Sequence, residues 1–343
     1  MKSPRIREAI SLIAFALAFL LSIPLVAGFF GSAHPALDAL GHLRAHIATL
    51  MIFFALASLA GSMWRQGLMA IVLGLAAITT TLGFHNERTA LQPVDGAAVF
   101  RLLQMNLRYD NAEPEKVLSM IGRVRPDVIA LDEVSDMWVG KLDLLASAYP
   151  YRIICMVGNR AGGVAILSLR PFVESAKPKC DDGGVFALAM VDFGGREVEI
   201  GALHLHRPWP STQHWQVEEL KPLLGAIADT AILAGDMNSV PWSYTVAKVI
   251  EAGGFTVAPR IGPTWIYRRL PDLLRFAGFP VDQIFAKGDV VAHSARTLPA
   301  AGSDHLPVLF EFSLKRASQP DAPSAVTDSE MTGSKTTLHP SRV

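Results

Sequence analysis

The feature that most constrains the fold of this chain is a set of three long apolar runs within the first 84 residues. They cover roughly residues 9–30, 47–63 and 68–84, and none of them carries a charge at its centre. A helix needs about 20 apolar residues to cross a hydrocarbon core about 30 Å thick. Because a cleaved signal peptide would supply only the first run, the pattern predicts a membrane anchor of three transmembrane helices over residues 1–84.

The positive charges around these runs predict their orientation. Lys2, Arg5 and Arg7 precede the first run, and Arg65 lies in the short turn between the second and third, whereas residues 31–42 contain no Lys or Arg. Cytoplasmic loops carry the excess of positive charge. An odd number of spans then places the rest of the chain on the far side. We expect a multi-pass protein of the cell inner membrane with a periplasmic domain.

The remainder of the chain divides by composition. Residues 85–97 form a polar connector with a proline, a predicted linker, and residues 98–316 are typical of a globular domain. Residues 317–343 are rich in Ser, Thr, Pro and Asp and predict a disordered tail. Residues 91–316 carry 23 basic and 25 acidic side chains. A non-specific DNA-binding protein usually has a basic excess, so the overall charge gives no support to nucleic acid as a substrate.

The chain has two cysteines, Cys155 and Cys180, whose spacing does not match a zinc site. Two interpretations remain open from the sequence. They are small, partly buried side chains, or they form a disulfide, which requires a domain outside the cytoplasm.

From residue 98 onward, short β-rich runs alternate with helical patterns. The pattern predicts an α/β sandwich of four layers, in which two packed mixed β-sheets are flanked by helices. Helices are expected over residues 114–123, 141–148, 213–229 and 244–252. The predicted strands are VFRLLQMN, DVIALDEV, YRIICMVG, GGVAILSL, FALAMVDF, EVEIGALHL, TAILAGDM, DQIFAKG and LPVLFEFSL.

Polar side chains stand at the ends of these otherwise apolar strands. An Asp or Asn after a single strand usually belongs to a turn, but several together indicate groups that converge on one rim of the sandwich. The oxygen ligands among them suit a hard cation such as Mg²⁺ or Mn²⁺. The residues concerned are Asn106, Asp132, Glu133, His204, Asp236, Asn238, Asp304 and His305.

In order, the chain reads QMNL, PDVIALDEV, HLHRPWP, GDMNSVPWS, VDQIF and GSDHLPV. This series resembles the endonuclease/exonuclease/phosphatase superfamily, which has the deoxyribonuclease-I-like fold, over about residues 99–312. An anchor of several spans ahead of such a domain is similar to a membrane-anchored bacterial subgroup of that family.

The resemblance implies a role for each matching residue. Glu133 is expected to be the principal ligand of Mg²⁺ or Mn²⁺, with Asn106 and Asp304 near it. Asp236 is expected to hold or deprotonate the attacking water. The remaining assignments are Asn238, which would orient that network; His204 and His305, at the scissile phosphate; and Asp282, which would orient His305.

The chain departs from the family pattern in three places. Asp132 replaces the usual Gln before the metal-binding Glu. It could strengthen metal binding, reach a second cation, or point to the opposite face of its strand, which alternation favours. Gln283 follows Asp282 where many members have Tyr or His. Residues 267–280 (YRRLPDLLRFAGFP) resemble an insertion, and its Arg and Phe side chains could touch an anionic substrate, touch the bilayer, or form a solvated loop.

The expected function is metal-dependent hydrolysis of a phosphoester by in-line attack of an activated water at a membrane-tethered site. The substrate is open between a phospholipid head group, nucleic acid and another small phosphoester. The lipid bilayer is the expected partner, and no obligate protein partner is inferred. The alternative is a catalytically silent binding module on a membrane scaffold. It predicts the loss of at least one central residue, yet all eight assigned residues are present.

Overall fold

The computed structural model describes residues 4–82, 98–156, 162–258 and 261–315. The predicted linker at residues 85–97 and the predicted tail at residues 317–343 lie outside the described residues.

The predicted anchor is a bundle of helices: α1 (Pro4–Ala27), α2 (Pro35–His42), α3 (Arg44–Ser58) and α4 (Trp64–Leu82). Small side chains such as Ala18, Ala48 and Ala55 are fully buried where the helices meet. Large apolar side chains such as Phe53 and Met69 point outward and are mostly exposed. The bundle is therefore apolar on its outer surface as well as inside, which is typical of helices that face lipid.

The number of spans differs from a simple count of apolar runs. In the described part of the chain, Arg5–Ala27 and Trp64–Leu82 are long and apolar enough to cross a membrane. The second run lies mostly in α3. Helices α2 and α3 meet at a bend of 62° and count as a third span only if they are taken together. Helix α3 alone has 15 residues and is about 22 Å long, short of the hydrocarbon core. A third span remains a prediction.

The domain that follows has twelve strands and four α-helices among its described residues, and each of the nine predicted strands overlaps one of them. The strands are β1 (Phe100–Asn106), β2 (Val128–Val134), β3 (Tyr151–Cys155), β4 (Gly163–Ser168), β5 (Lys179–Cys180), β6 (Phe186–Asp192), β7 (Glu197–Leu203), β8 (Ala231–Asp236), β9 (Thr256–Val257), β10 (Asp282–Lys287), β11 (Val290–Thr297) and β12 (Val308–Leu314). The helices are α5 (Pro114–Val124), α6 (Asp136–Leu142), α7 (Gln213–Gly225) and α8 (Tyr244–Gly253).

The strands form two six-stranded sheets, in the orders β11-β12-β1-β2-β4-β3 and β5-β6-β7-β8-β10-β9. Both sheets are mixed, because β1 pairs with β2 and β7 with β8 in parallel while the other pairs are antiparallel. One apolar core lies between the sheets. Two further cores join the outer face of the first sheet to α5 and α6, and that of the second to α7 and α8. The predicted α/β sandwich is confirmed.

Some elements differ from the expected ones. The helix expected over residues 141–148 begins earlier, as α6, and ends in a 3-10 turn at Asp143–Leu145. Its start is determined by Trp138, which is fully buried in the outer core. Strands β5, β9 and β11 were not predicted. The first two have only two residues each, and β11 contains a bulge and several polar residues.

Cys155 and Cys180 form a disulfide, with Cα atoms 5.5 Å apart. The sequence left open whether the two cysteines are unpaired or form a disulfide, and in the structure they are paired. Cys155 ends β3 and Cys180 ends β5, which are edge strands of different sheets. The bond therefore ties the two sheets together along one side of the sandwich.

Helix α2 connects the anchor to the domain. Asp38 is buried and accepts hydrogen bonds from the backbone N–H groups of Tyr244 and Thr245, at 2.6 and 3.0 Å, and from the Thr245 hydroxyl at 2.8 Å. These N–H groups open α8, where a carboxylate is favoured by the helix dipole. Trp242 also donates to the Gly41 carbonyl at 2.9 Å. The domain is thus held at the end of the anchor that carries α2.

Candidate active site

Two adjacent parallel strands and one strand of the facing sheet meet at the centre of the candidate site. Asn106 ends β1, and Glu133 lies near the end of β2. Asp236 ends β8 in the other sheet. The Asn106 amide Nδ2 donates to Glu133 Oε1 at 3.1 Å and to Asp236 Oδ2 at 3.0 Å. One amide therefore joins carboxylates from both sheets at a single rim of the sandwich.

Local backbone geometry turns Glu133 toward this rim. Strict alternation along β2 would send its side chain toward the outer helices, but the ladder between β2 and β4 shifts between Asp132 and Val134, and Glu133 has a φ of 55°. Its Oε2 atom accepts a hydrogen bond from the Tyr109 N–H at 3.0 Å. A Cβ atom at Gly162 would come within 2.4 Å of the Glu133 backbone, so the close approach at the bulge requires glycine there.

Asp236 is almost fully buried at the rim, with 1% of its surface exposed. Its Oδ1 atom accepts from the backbone N–H of Asn238 at 2.8 Å. Its Oδ2 atom lies 3.7 Å from Nε2 of both His204 and His305. Burial raises the pKa of Asp236 to about 7, although the charge of His305 acts in the opposite direction. A carboxyl group with this pKa can exchange a proton near neutral pH.

Asn238 and His204 border Asp236 on one side. Asn238 has a φ of 46°, and its amide donates to the Leu205 carbonyl at 2.8 Å. The same amide lies 3.3 Å from His204 Nε2. Burial lowers the pKa of His204, although the nearby Glu133 carboxylate favours its charged form. His204 is therefore held against Asp236 by an amide that is itself fixed to the backbone.

His305 and Asp282 form a buried pair, with Nδ1 of the imidazole 2.8 Å from Oδ2 of the carboxylate. Burial disfavours a charge on His305, but the carboxylates of Asp282 and Asp236 outweigh that effect and raise its pKa to about 10. Burial likewise disfavours a charge on Asp282, but the charge and hydrogen bond of His305 lower its pKa. Both shifts favour an imidazolium paired with a carboxylate, and Nε2 of the ring lies 3.7 Å from Asp236 Oδ2.

Asp304 is half-buried and precedes His305. Its Oδ2 atom accepts a hydrogen bond from the Trp265 indole at 3.1 Å. The pKa of Arg108 is raised mainly by its hydrogen bond to Asp110. The charges of Asp304 and Glu133 raise it further by smaller amounts. Hydrogen bonds and short contacts link the other seven predicted site residues to one another, and Asp304 joins them through Trp265 and the chain.

Asp132 has a different position from those that the sequence suggested. It is fully buried between the sheets, and its Oδ2 atom accepts from Gln104 Nε2 at 3.0 Å and from the Asp236 backbone N–H at 2.8 Å. Burial, together with the charges of Asp236 and Asp282, raises its pKa well above the usual range. Asp132 is therefore neither an exposed second-cation ligand nor turned away from the site. It supports the backbone of Asp236 from beneath.

The donor set suits a divalent cation. Glu133 and Asp304 present half-buried carboxylate oxygens at the rim, and with Asp236 and Asp282 they make four acidic groups against two nearby cationic ones, His305 and Arg108. Hard cations bind oxygen ligands and offset such an excess of negative charge. Among the described residues, one tight group of ligand-type atoms is Asp236, Asp282 and His305, all within 4.8 Å of one another. Because His305 is already paired with Asp282, its ring is a weaker candidate than the rim carboxylates.

Three supporting residues were not assigned to the site from the sequence. Gln104 donates from the same Nε2 atom to Asp132 and to Asp282, the latter at 2.9 Å, and joins the two sheets beneath the rim. Thr264 Oγ1 accepts from the Asp282 N–H at 3.1 Å. Trp265 orients Asp304 through its indole N–H. Gln104 lies two residues before Asn106 on the same face of β1, and that spacing was the available signal.

The sequence from residue 103 to 305 matches the model of the endonuclease/exonuclease/phosphatase family. The chain belongs to this family. The match spans every assigned site residue, from Asn106 to His305, and members of the family are generally hydrolases that act on phosphoesters. A comparison of the sequence with curated proteins gave no match.

Solved structures share the fold of the domain. An endonuclease/exonuclease/phosphatase from Beutenbergia cavernae is 20% identical, with a TM-score of 0.50 over 63% of this chain and 72% of that one. A member from Bacteroides vulgatus is 17% identical, with a TM-score of 0.50 over 64% and 100%. Humanized D. rerio TDP2 is 17% identical, with a TM-score of 0.50 over 63% and 99%. At these identities the likeness shows the fold alone.

Proposed function

We propose that this protein is a membrane-anchored hydrolase of phosphoesters that depends on Mg²⁺ or Mn²⁺. The observation that carries the proposal is the convergence at Asn106, whose amide bridges Glu133 and Asp236 while His204 and His305 approach the same Asp236 oxygen. Acids, an amide and two imidazoles around one point suit the hydrolysis of a phosphate ester, in which positioning and charge stabilisation dominate.

In this proposal, Glu133, Asn106 and Asp304 would hold the cation, which would supply positive charge to neutralise the phosphate. Asp236 accepts a proton from the attacking water as the new O–P bond forms, and the ester P–O bond opposite it breaks. The leaving oxygen takes up a proton from solvent or from a neighbouring acid.

The remaining residues position these groups. Asn238 orients Asp236 and contacts the phosphate, and His204 and His305 donate hydrogen bonds to its non-bridging oxygens. Asp282 keeps His305 protonated, since its carboxylate raises the pKa of that imidazole. A catalytically silent module has no need of such a continuous polar network, whose maintenance in a buried position is costly.

We also propose that the domain lies in the periplasm. Two observations support this location. A structural disulfide requires an oxidising compartment. In the bundle, Arg7 contacts the Ala60 carbonyl and Glu8 accepts from the Ser62 N–H, so the basic N-terminus and the turn before Arg65 share one end. The domain is held at the other end, through α2.

Hydrolysis of a chromogenic diester tests the activity. The full chain in phospholipid nanodiscs should release nitrophenol from bis(4-nitrophenyl) phosphate with Mg²⁺ or Mn²⁺ and stop when EDTA is added. Glu133→Gln should abolish turnover at low Mg²⁺, because it removes the principal carboxylate from the rim. Glu115→Gln is the matched control, since Glu115 is an exposed acid paired with Lys141, and it should retain activity.

Two results would contradict the proposal. One is undiminished hydrolysis in EDTA, which would exclude a metal-dependent reaction. The other is an absence of turnover against this diester, DNA and phospholipid in the presence of either cation.

A further inference from the structure

Residues 267–280, here called the interfacial segment, expose an apolar surface next to the site. It contains the 3-10 helix Asp272–Ala277. Leu273 and Phe276 are 83% and 78% exposed, and Tyr267 and Leu270 are also exposed. Single exposed apolar side chains are common, but a cluster of large ones marks a surface that meets an apolar partner.

The interfacial segment touches the membrane anchor. His46 lies in the first turn of α3, and its Nε2 atom is 2.8 Å from the Ala277 carbonyl oxygen. The His46 ring also packs against Phe279, with ring centroids 4.9 Å apart. From this point, α3 runs into the apolar bundle. The contact therefore holds the interfacial segment at the level where the anchor leaves the bilayer.

The charges of the segment match that position. Arg268, Arg269 and Arg275 accompany the apolar side chains, against one acidic residue in the segment. Apolar side chains with basic neighbours are typical of elements that lie in the head-group region, where anionic lipids attract the cations. An anionic bilayer is the occupant that both features fit.

The interfacial segment also reaches the site. Phe279 packs on Trp265, with ring centroids 6.0 Å apart, and Trp265 donates to Asp304. Arg275 donates to the Asp304 carbonyl at 3.4 Å. A groove at this end of the site is lined by Arg108, Arg268, Arg275 and Asp304, among others. Contacts therefore run without a break from the anchor, through the segment, to a proposed metal-binding residue.

We infer that the interfacial segment lies in the head-group region of the bilayer and that the substrate is the phosphodiester head group of a membrane phospholipid. The inference rests on the proposed hydrolase function and names its substrate. A lipid phosphate stays at the level of the head groups, which is where His46 holds the segment. The arginines of the groove supply the positive charge that guides a phosphate toward Asp304.

A depth measurement tests the position of the segment without relying on activity. The two native cysteines are paired, so a nitroxide attached to Phe276→Cys in the full chain is specific. In vesicles of phosphatidylethanolamine and phosphatidylglycerol, this label should collide with oxygen more often than with a water-soluble nickel chelate. The inference would be overturned if the nickel chelate reached the label at Phe276→Cys as readily as it reaches a label at the control position described next.

Leu144→Cys provides the matched control. Leu144 is 69% exposed, and the adjacent Asp143 pairs with Arg152 near the start of β3. Tyr151 at the start of β3 and Val128 at the start of β2 both pair with Ser168 of β4. Glu133 lies near the other end of β2, so Leu144 is at the end of the sandwich away from the site. A label at Leu144 should therefore report water.

A kinetic comparison tests the substrate. Replacing Leu273 and Phe276 together by Glu should reduce hydrolysis of vesicle phospholipid at least roughly tenfold, the scale of removing one buried apolar side chain from lipid. The rate at which the same variant, in the same vesicles, hydrolyses bis(4-nitrophenyl) phosphate should change less than about twofold, since neither residue belongs to the groups that bind the cation or act on the phosphate. An equal loss on both substrates, or no loss on phospholipid, would overturn the inference.

The outcomes separate this inference from the proposed function. If the parent protein cleaves DNA or the soluble diester but no phospholipid, the substrate named here is wrong and the hydrolase function stands. If it cleaves none of them with Mg²⁺ or Mn²⁺, the hydrolase function and its lipid substrate both fail.

Discussion

Replacing Asp236 by Asn tests the proposed chemistry at a single atom. Both carboxylate oxygens of Asp236 accept hydrogen bonds, Oδ1 from the Asn238 N–H at 2.8 Å and Oδ2 from Asn106 Nδ2 at 3.0 Å. An amide of the same size offers one oxygen and one NH₂ group. One of the two donors must then face another donor, and the proton acceptor for water is lost.

The two consequences have different magnitudes. Losing a positioned general base lowers turnover by about 10²- to 10⁴-fold, or roughly 3–5 kcal/mol of barrier. Leaving one buried donor unpaired lowers the free energy of unfolding by about 1–3 kcal/mol. The variant should therefore stay folded and lose nearly all its activity. Initial rates on bis(4-nitrophenyl) phosphate and the thermal unfolding midpoint of the same preparation measure the two effects separately.

Titration with Mg²⁺ or Mn²⁺ distinguishes this role from that of a ligand. Glu133→Gln should weaken the cation site, so a higher metal concentration should restore part of its activity. Asp236→Asn should stay inactive at every metal concentration, because a cation does not replace a proton acceptor. If metal rescues Asp236→Asn and not Glu133→Gln, the two assigned roles are inverted. If neither variant loses activity, this rim is not the active site.

Two further predictions concern the scaffold. Replacing Cys155 and Cys180 by Ser should lower the free energy of unfolding by about 3–4 kcal/mol, the chain-entropy value for a loop of 25 residues; an unchanged thermal midpoint would contradict this, and thiol labelling of the parent protein in intact cells should succeed only after reduction. Asp38→Asn should expose the start of α8 to hydrogen exchange, because its carboxylate accepts from Tyr244 and Thr245. Exchange at α8 that does not change would mean that α2 does not hold the domain.

Much of the domain could be predicted because its signals are local. Short runs dominated by apolar residues predict buried strands wherever they occur in the chain, and β1, β2, β4 and β8 lie where these runs are. The elements that were missed have no such signal. Strand β5 has two exposed residues, Lys179 and Cys180, and it forms because it pairs with β6 and carries the disulfide.

The convergence of the site could be predicted in part, for a related reason. Polar side chains at the ends of several apolar strands were expected to converge on one rim, and the family resemblance placed Asn106 near Glu133. The contact between Asp236 and Asn106 depends on how the two sheets pack. Only the family resemblance predicted that both residues belong to one site. The direction of the Glu133 side chain was not predictable, because the bulge that turns it toward the rim is a feature of the ladder between β2 and β4.

The sequence by itself determined the apolar character of the N-terminal helices, the order of nine of the strands along the chain and the identity of the polar groups, since hydrophobicity and side-chain chemistry belong to each residue. Tertiary structure alone decided which cysteines, acids and helices meet. The Cys155–Cys180 bond, the docking of Asp38 on α8 and the contact of His46 with Ala277 each join positions 25 to 231 residues apart. Such contacts depend on the packing of whole sheets and helices, which no local pattern encodes.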